Sequence, residues 1–301
     1  MGAKLSWSVD GSDWPNRAAS QFIAAAGYRW HVQTMGEGPI ALLAHGTGAA
    51  THSWRALAPL LSRHFTVVAP DLPGHGFTET PGAHRLSLPG MAQDLAALCR
   101  TLAIRPEVAI GHSAGAAILA RMSLDHLIEP KLIVSLNGAF LPFGGVAARF
   151  LSPLAKAMTF NPLVPHMFAW RGRDPAAVHR LIEGTGSTID AAGERYYGRL
   201  VGNPGHVAAA LQMMANWDLH PLVRDLPKLE PNLLLIAASG DRAIPPDVAR
   251  RVRELAPHVR MELMSGLGHL AHEEAPDKIA ALIVAAAARL GIVAPQHEMS
   301  T

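Results

Sequence analysis

The chain has 301 residues, of which 49% are hydrophobic and 17% charged, so it can bury a large core and is not a disordered protein. Its formal net charge of +2 is too even to favour a nucleic-acid partner. Its one cysteine, Cys99, excludes an intramolecular disulfide and fits a reducing compartment. The helical spacing of Cys99 from Leu95, Leu98 and Leu102 predicts a buried thiol.

Residues 1–16 contain no apolar segment of the kind that a secretory signal requires, and the apolar run at 279–292 is too short to span a bilayer. No Gly-Lys-Ser/Thr sequence occurs, which excludes a Walker A phosphate loop. We therefore expect a cytoplasmic protein without a transmembrane segment.

In chain order, residues 1–20 are polar and predict a loose arm. Apolar or alternating runs then predict strands at 29–34, 39–44, 65–69, from Val108, and at 131–136, 232–237 and 259–263. Helical periodicity predicts helices at 53–63, 86–104, after Ser113, and at 247–255 and 276–290. Alternating strands and helices predict an α/β fold with a mostly parallel sheet that is covered on both faces.

The alternation fails between residues 139 and 216, which are rich in Pro, Gly, Met and aromatic residues. Helical fragments there are predicted around 147–156, 175–183 and 207–214. The chain is therefore predicted to consist of a core, residues 1–138 and 217–301, and an inserted helical lid, residues 139–216.

The most informative stretch is Gly111-His-Ser-Ala-Gly115, which follows an apolar run and precedes a helix of small residues. This is the context of a nucleophile elbow, in which the serine sits on a sharp turn between strand and helix. Gly111 and Gly115 leave room for that close packing. We predict Ser113 as the nucleophile, against the alternative of an ordinary glycine-rich turn.

A serine nucleophile needs a base and an orienting acid, which in this fold follow it in the order acid, then histidine. Asp241 and His269 each follow a predicted strand in that order. Asp218 is the alternative acid and His272 the alternative base. Ala114 and Thr47 are predicted to donate the oxyanion-hole amides, because Thr47 lies in the loop after an earlier strand. No metal ion or cofactor is predicted.

These residues, together with His45-Gly-Thr-Gly48 and Asp71-Leu-Pro-Gly-His-Gly76, resemble the α/β-hydrolase superfamily over nearly the whole chain. The resemblance implies the α/β-hydrolase fold, with an inserted helical lid. Because residue 113 is Ser, the chain departs from the haloalkane-dehalogenase and epoxide-hydrolase pattern, which needs an Asp there.

A closer resemblance, to the magnesium-chelatase accessory proteins of bacteriochlorophyll synthesis, rests on Asp13-Trp-Pro-Asn-Arg17, Trp30-His-Val-Gln33, Thr51-His-Ser-Trp54 and Ala69-Pro-Asp-Leu-Pro-Gly-His-Gly-Phe-Thr78. It implies a role near magnesium insertion into protoporphyrin IX, with magnesium-chelatase subunits as partners. A hydrophobic small molecule such as a tetrapyrrole is the expected ligand. Its candidate contacts are His45, His112, Phe160, Met167 and Trp170, although such lid residues also commonly pack a lid onto its core.

Two functions follow. The first is a serine hydrolase that cleaves an ester or similar acyl bond in a hydrophobic substrate and acts as an accessory protein to magnesium chelatase. The second is a non-catalytic porphyrin-binding or carrier protein on a hydrolase scaffold, for which Arg149, Arg171 and Arg173 could pair with tetrapyrrole carboxylates.

Overall fold

The computed structural model describes residues 4–142, 161 and 163–295. Its strands are β1 (Ser20–Ala25), β2 (Tyr28–Met35), β3 (Ile40–Ala44), β4 (Thr66–Pro70), β5 (Val108–His112), β6 (Leu132–Leu136), β7 (Asn232–Ala238) and β8 (Val259–Met264). They form one sheet in the order β1-β2-β4-β3-β5-β6-β7-β8. Strand β2 pairs antiparallel with β1 and β4, and the pairs from β4 to β8 are parallel, which confirms the predicted mostly parallel sheet.

The helices of the described part, in chain order, are α1 (Trp7–Asp10), α2 (Leu57–Leu61), α3 (Leu88–Thr101), α4 (Ala114–Leu124), α5 (Leu163–Arg171), α6 (Pro175–Gly184), α7 (Ala191–Val201), α8 (Pro204–Ala215), α9 (His220–Asp225), α10 (Pro246–Leu255), α11 (Ala271–Glu274) and α12 (Pro276–Arg289). Among these described helices, none combines the length and the apolar character needed to cross a membrane.

The strands bury side chains on both faces because successive residues point to opposite sides of the sheet. In β3, Leu42 belongs to the cluster that packs with α3 and α4, whereas Leu43 belongs to the cluster that packs with α2 and α12. Cys99 lies in the first cluster and is 3% exposed, as its spacing predicted. Burial raises the pKa of its thiol to about 12, so Cys99 is a core residue.

The described chain between β6 and β7 contains no strand and carries α5 to α9 in succession, joined by turns and irregular segments. The predicted helices at 175–183 and 207–214 are present as α6 and α8, whereas α5 and α7 were not predicted. The predicted fragment at 147–156 lies outside the described residues. We refer to the described residues from 161 to 216 as the helical insertion. Its separation from the core as a lid domain stays a prediction.

The prediction of a loose arm at residues 1–20 is wrong for the described residues. Trp14 is 2% exposed, and its Nε1 donates a hydrogen bond to Thr51 Oγ1 at 2.9 Å. The Trp14 ring also packs edge-on against Phe77 and Tyr196. The apolar residues of this segment lie too far apart to show a helix or strand period, and they are buried by tertiary contacts.

Candidate active site

Ser113 lies on the sharp turn between β5 and α4. Its φ of 51° and ψ of −117° are a backbone conformation that residues other than glycine seldom adopt. The turn is held by hydrogen bonds to the last residue of β6 and to the segment after it, since Ser113 N donates to Leu136 O and Ser113 O accepts from Ala139 N, each at 3.0 Å. Every residue of β5 is buried, whereas Ser113 is half-buried. The serine thus has the geometry of a nucleophile elbow.

Glycine lets helix α4 approach the end of β3 at this turn. A Cβ atom at Gly115 would overlap with the carbonyl oxygen of Ala44. The helix therefore begins against the strand that leads into the glycine-rich loop, and Ser113 is presented beside that loop.

His269 and Asp241 form a hydrogen-bonded pair. His269 Nδ1 lies 2.8 Å from Asp241 Oδ2, and the two residues are 9% and 5% exposed. The other carboxylate oxygen of Asp241 accepts from the backbone N–H groups of Ala243 and Ile244, each at 2.8 Å. An ionised carboxylate can only accept, so the partner assigns the proton to Nδ1. His269 Nε2 is then the unprotonated nitrogen that a general base needs.

The two alternative residues are occupied elsewhere. Asp218 is exposed at the start of α9, and its Oδ1 lies 2.8 Å from Nδ1 of the exposed His220. His272 is fully buried, and its Nε2 lies 2.8 Å from Ser53 Oγ. Burial lowers the pKa of His272 to about 3. Of the two candidate acids, Asp241 is the one that contacts His269.

The elbow and the His269 loop touch each other through His112. His112 Nε2 donates to the carbonyl oxygen of His269 at 3.0 Å, and the centroids of the two rings are 4.7 Å apart. Among the described residues, His269 pairs with Asp241, and the Ser113 hydroxyl makes no capping hydrogen bond to α4. In unliganded enzymes such nucleophile–base contacts are often long and tighten only on substrate binding. The predicted contact between Ser113 and His269 therefore stays a prediction.

The loop Gly46–Gly48, after β3, passes directly beside Ser113. A Cβ atom at Gly46 would lie 3.1 Å from Ser113 Cβ and 2.8 Å from His112 Nδ1. The backbone N–H of Thr47 donates to no group in the described part of the chain. The N–H of Ala114 begins helix α4, where the first amides have no intrahelical acceptor. The assignment of both amides as oxyanion donors stays a prediction.

The candidate substrate contacts occupy different surroundings. His45 is fully buried: its Nδ1 donates to Gly46 O at 2.8 Å and its Nε2 accepts from Leu72 N at 2.9 Å, so both ring nitrogens hold loops in place. His112 is 3% exposed. Met167 and Trp170 are 54% and 72% exposed on α5. Phe160 lies outside the described residues, as does Arg149.

Asn137 is a residue of this region that the sequence did not reveal. It follows β6 with a φ of 47°, and its Nδ2 donates to the carbonyl oxygens of Gly268 and His269 at 3.0 and 2.9 Å. Its Oδ1 accepts from Ala238 N, at the end of β7, at 2.9 Å. The amide thereby ties the His269 loop to the sheet. A polar residue straight after a buried strand is the only sequence signal for it.

A hydrogen-bonded set of serine, histidine and aspartate elsewhere in the chain supports the fold. His31 Nε2 lies 3.0 Å from Ser20 Oγ, and His31 Nδ1 lies 2.8 Å from Asp71 Oδ2. Asp71 also accepts from the backbone N–H groups of Thr51 and Phe77. Burial opposes ionisation of Asp71, but His31 and these hydrogen bonds hold its pKa below the usual range. With all its oxygens occupied, Asp71 fixes the 71–78 loop to β2.

Comparison with known proteins identifies the family of this chain. Residues 39–276 match the family model for the alpha/beta hydrolase fold. The chain is similar to the magnesium-chelatase 30 kDa subunit of Rhodobacter capsulatus, with 38% identity over 91% of this chain and 96% of that protein. It is 25% identical to the 2-hydroxy-6-oxo-2,4-heptadienoate hydrolase of Pseudomonas putida, over 84% of this chain and 91% of that enzyme.

Among solved structures, an alpha/beta hydrolase fold protein from Burkholderia ambifaria superposes with a TM-score of 0.75 at 20% identity, over 95% of this chain and all of that one. At that identity the likeness concerns the fold alone. The family match covers the elbow, the Asp241 turn and the His269 loop in one continuous span. The chain belongs to the alpha/beta hydrolase fold family.

Proposed function

We propose that the protein is a serine hydrolase that cleaves an ester or a similar acyl bond in a hydrophobic substrate. The observation that carries this proposal is the strained backbone of Ser113 at the turn between β5 and α4. Strain of this kind persists where the surrounding structure holds it, and it is concentrated at functional sites. The His269–Asp241 pair at the same end of the sheet supplies a base and its orienting acid.

In the proposed reaction, Ser113 Oγ attacks the carbonyl carbon of the substrate while its proton moves to His269 Nε2. Asp241 accepts the hydrogen bond from His269 Nδ1 and stabilises the imidazolium that forms. The tetrahedral intermediate then expels its alkoxide, which takes the proton from His269 Nε2 and leaves an acyl-serine. Water attacks the acyl-serine with His269 as base, which releases the acid and restores Ser113.

Charge on the substrate oxygen would be stabilised by two backbone amides. Ala114 N–H lies at the start of α4, where the helix dipole also favours negative charge. Thr47 N–H comes from the loop that passes beside Ser113. Fixed donors of this type stabilise the transition state because they need no reorganisation during the reaction.

We further propose that the helical insertion acts as a lid over this site, with Met167 and Trp170 among the apolar residues that receive the substrate. The similarity to the magnesium-chelatase subunit of Rhodobacter capsulatus supports an accessory role beside that enzyme, with its subunits as partners and a tetrapyrrole as a candidate ligand. The proposed compartment is the cytoplasm, in line with the single buried cysteine.

Hydrolysis of p-nitrophenyl esters of increasing acyl length, by wild type and by Ser113→Ala, tests the proposed reaction. We expect turnover by wild type and a loss on the order of 10⁴-fold or more in the variant. If folded wild-type protein hydrolyses none of these esters, the proposed hydrolase reaction is contradicted.

The accessory role is tested in a Rhodobacter capsulatus strain that lacks its 30 kDa subunit. If chemistry is the role, wild-type chain restores bacteriochlorophyll and Ser113→Ala does not, at equal protein levels. Equal restoration by both would instead favour the non-catalytic binding protein.

A further inference from the structure

His206 connects the helical insertion to two loops of the site. It lies in the first turn of α8, is 3% exposed, and donates from Nε2 to the carbonyl oxygen of Gly48 at 3.0 Å. Its Nδ1 accepts from the backbone N–H of Gly76 at 3.1 Å. One imidazole of the insertion thus bridges the loop that carries Thr47 and the loop that follows β4.

The partners of the ring fix its protonation. Gly48 O can only accept and Gly76 N can only donate, so the ring is neutral with its proton on Nε2. Burial lowers the pKa of His206 to about 4, which keeps this form at neutral pH. The backbone of His206 is fixed as well, because its N–H donates to Oδ1 of the N-cap residue Asn203 at 2.9 Å.

Two further residues on the same face of α8 contact the same loops. Met213 Sδ accepts a hydrogen bond from Thr47 Oγ1 at 3.5 Å, and a Cβ atom at Gly74 would lie 2.6 Å from Ala209 Cβ. Residues 206, 209 and 213 follow the spacing of one helix face. The contact between α8 and the Thr47 loop is therefore made at both ends of the helix.

The Gly46 carbonyl shares a planar peptide group with the Thr47 N–H, and it accepts a hydrogen bond from His45 Nδ1 at 2.8 Å. Thr47 is flanked by two glycines, and Gly48 has a φ of 78°. The described backbone hydrogen bond that closes the loop runs from Ala49 N to Gly46 O at 3.2 Å. The Gly48 carbonyl and the Ala49 N–H belong to one planar peptide group, so the bond from His206 to Gly48 O orients the Ala49 N–H. That N–H in turn holds the Gly46 carbonyl, which shares a peptide group with the Thr47 N–H.

We propose that His206 is a positioning residue of the oxyanion hole: by holding the Gly48–Ala49 peptide, and through it the Gly46 carbonyl, it directs the Thr47 amide toward Ser113. This inference rests on the proposed function. It makes the oxyanion hole dependent on the insertion, because the Thr47 amide is oriented only while α8 packs against the two loops. A substrate that displaces α8 from these loops would therefore bind but react slowly.

Three variants separate the two hydrogen bonds of the ring. His206→Gln retains a donor near the position of Nε2, His206→Asn retains an acceptor near the position of Nδ1, and His206→Leu retains neither. The matched control is His179→Gln on α6, an exposed histidine that pairs with Glu194. Each protein is assayed with a p-nitrophenyl ester for kcat and KM, and by hydrogen exchange of the peptide that contains residues 44–50.

We expect His206→Leu and His206→Asn to lower kcat on the order of 10- to 100-fold with KM changed less than about twofold, because an oxyanion contact acts in the transition state. His206→Gln should recover most of the loss, and exchange in 44–50 should be faster in the Leu and Asn variants. A kcat equal to that of the control, or a loss confined to KM and melting temperature, would overturn the inference while wild-type turnover upholds the hydrolase. A wild type without turnover would overturn both.

Discussion

The side chain of Asn137 donates a hydrogen bond to the main-chain carbonyl of His269 at 2.9 Å. Asn137 follows β6 and His269 follows β8, so this bond crosses the end of β7, which lies between those two strands. The same carbonyl accepts from His112 Nε2 at 3.0 Å. The position of the proposed base is thus set by its backbone, which two buried side chains hold, as well as by the Asp241 carboxylate.

Replacing Asn137 by Ala should therefore lower kcat by more than the loss of folding stability explains. Two carbonyls and one amide lose a buried partner, which costs about 1–3 kcal/mol of unfolding free energy. We expect kcat to fall on the order of 10-fold with a small change in KM, and the pH profile of kcat to shift because the base is less well oriented. Asn216→Ala, which loses a hydrogen bond to Ala83 O away from the site, is the control. Equal kcat values and pH profiles in the two variants would refute the positioning role.

Replacing Gly46 by Ala should obstruct the site. The added methyl would lie 2.8 Å from His112 Nδ1 and 3.1 Å from Ser113 Cβ, and neither neighbour is the free end of a flexible chain. We expect at least about a 10-fold slower reaction with an acylating probe, since the loop must move away from Ser113. Gly184→Ala serves as control because a Cβ there meets nothing within 4 Å. Unchanged reactivity of Gly46→Ala would show that this loop does not border the reacting atoms.

Replacing Asp241 by Asn should test which acid orients the base. The amide oxygen can still accept from Ala243 and Ile244, but its NH₂ group then faces His269 Nδ1 and favours the tautomer with the proton on Nε2. We expect kcat to fall about 10³- to 10⁴-fold with little change in the melting temperature. Asp218→Asn should be indistinguishable from wild type in a side-by-side assay. A reversed outcome would transfer the role to Asp218.

The buried His272 should make the fold sensitive to acid. Burial lowers its pKa from 6.5 to about 3, so between these values the unfolded chain binds a proton that the folded chain does not. Its contribution to stability is complete above pH 6.5 and is lost as the pH falls. For this one group the loss between pH 6.5 and pH 5 is on the order of 2 kcal/mol.

Urea unfolding at pH 7.5 and pH 5 measures this loss. His272→Gln should lose less stability between the two pH values than wild type does, whereas His220→Gln, at an exposed position, should behave as wild type. An equal pH dependence in wild type and His272→Gln would show that this imidazole does not contribute to the acid sensitivity.

The local sequence pattern was sufficient to predict most strands of the sheet and the turn at Ser113. The strands at 39–44, 65–69 and 232–237 are short apolar runs, and such runs predict buried strands wherever turns bound them. The Gly111–Gly115 spacing predicted the elbow because steric crowding at that turn permits few residue types. The pairing of Asp241 with His269 could be predicted because parallel strands place the turns at their carboxyl ends at one edge of the sheet.

The remaining features depend on contacts between distant segments. Trp14 carries no local periodicity and is buried by Thr51 and by the helical insertion, so its segment was mistaken for an arm. Strand β1 begins with Ser20 and was missed because its burial is only partial. Asn137 and His206 are ordinary polar residues in the sequence, and their roles arise from backbone groups more than a hundred residues away.

The central claim is that Ser113 is a reactive nucleophile, and the most direct measurement is to map the adduct of a fluorophosphonate probe by peptide mass spectrometry. Between pH 6 and pH 9 we expect folded wild-type protein to carry one adduct, on Ser113, and Ser113→Ala to carry none. Folded protein that stays unlabelled across this range, or an adduct on another residue that persists in Ser113→Ala, would contradict the account.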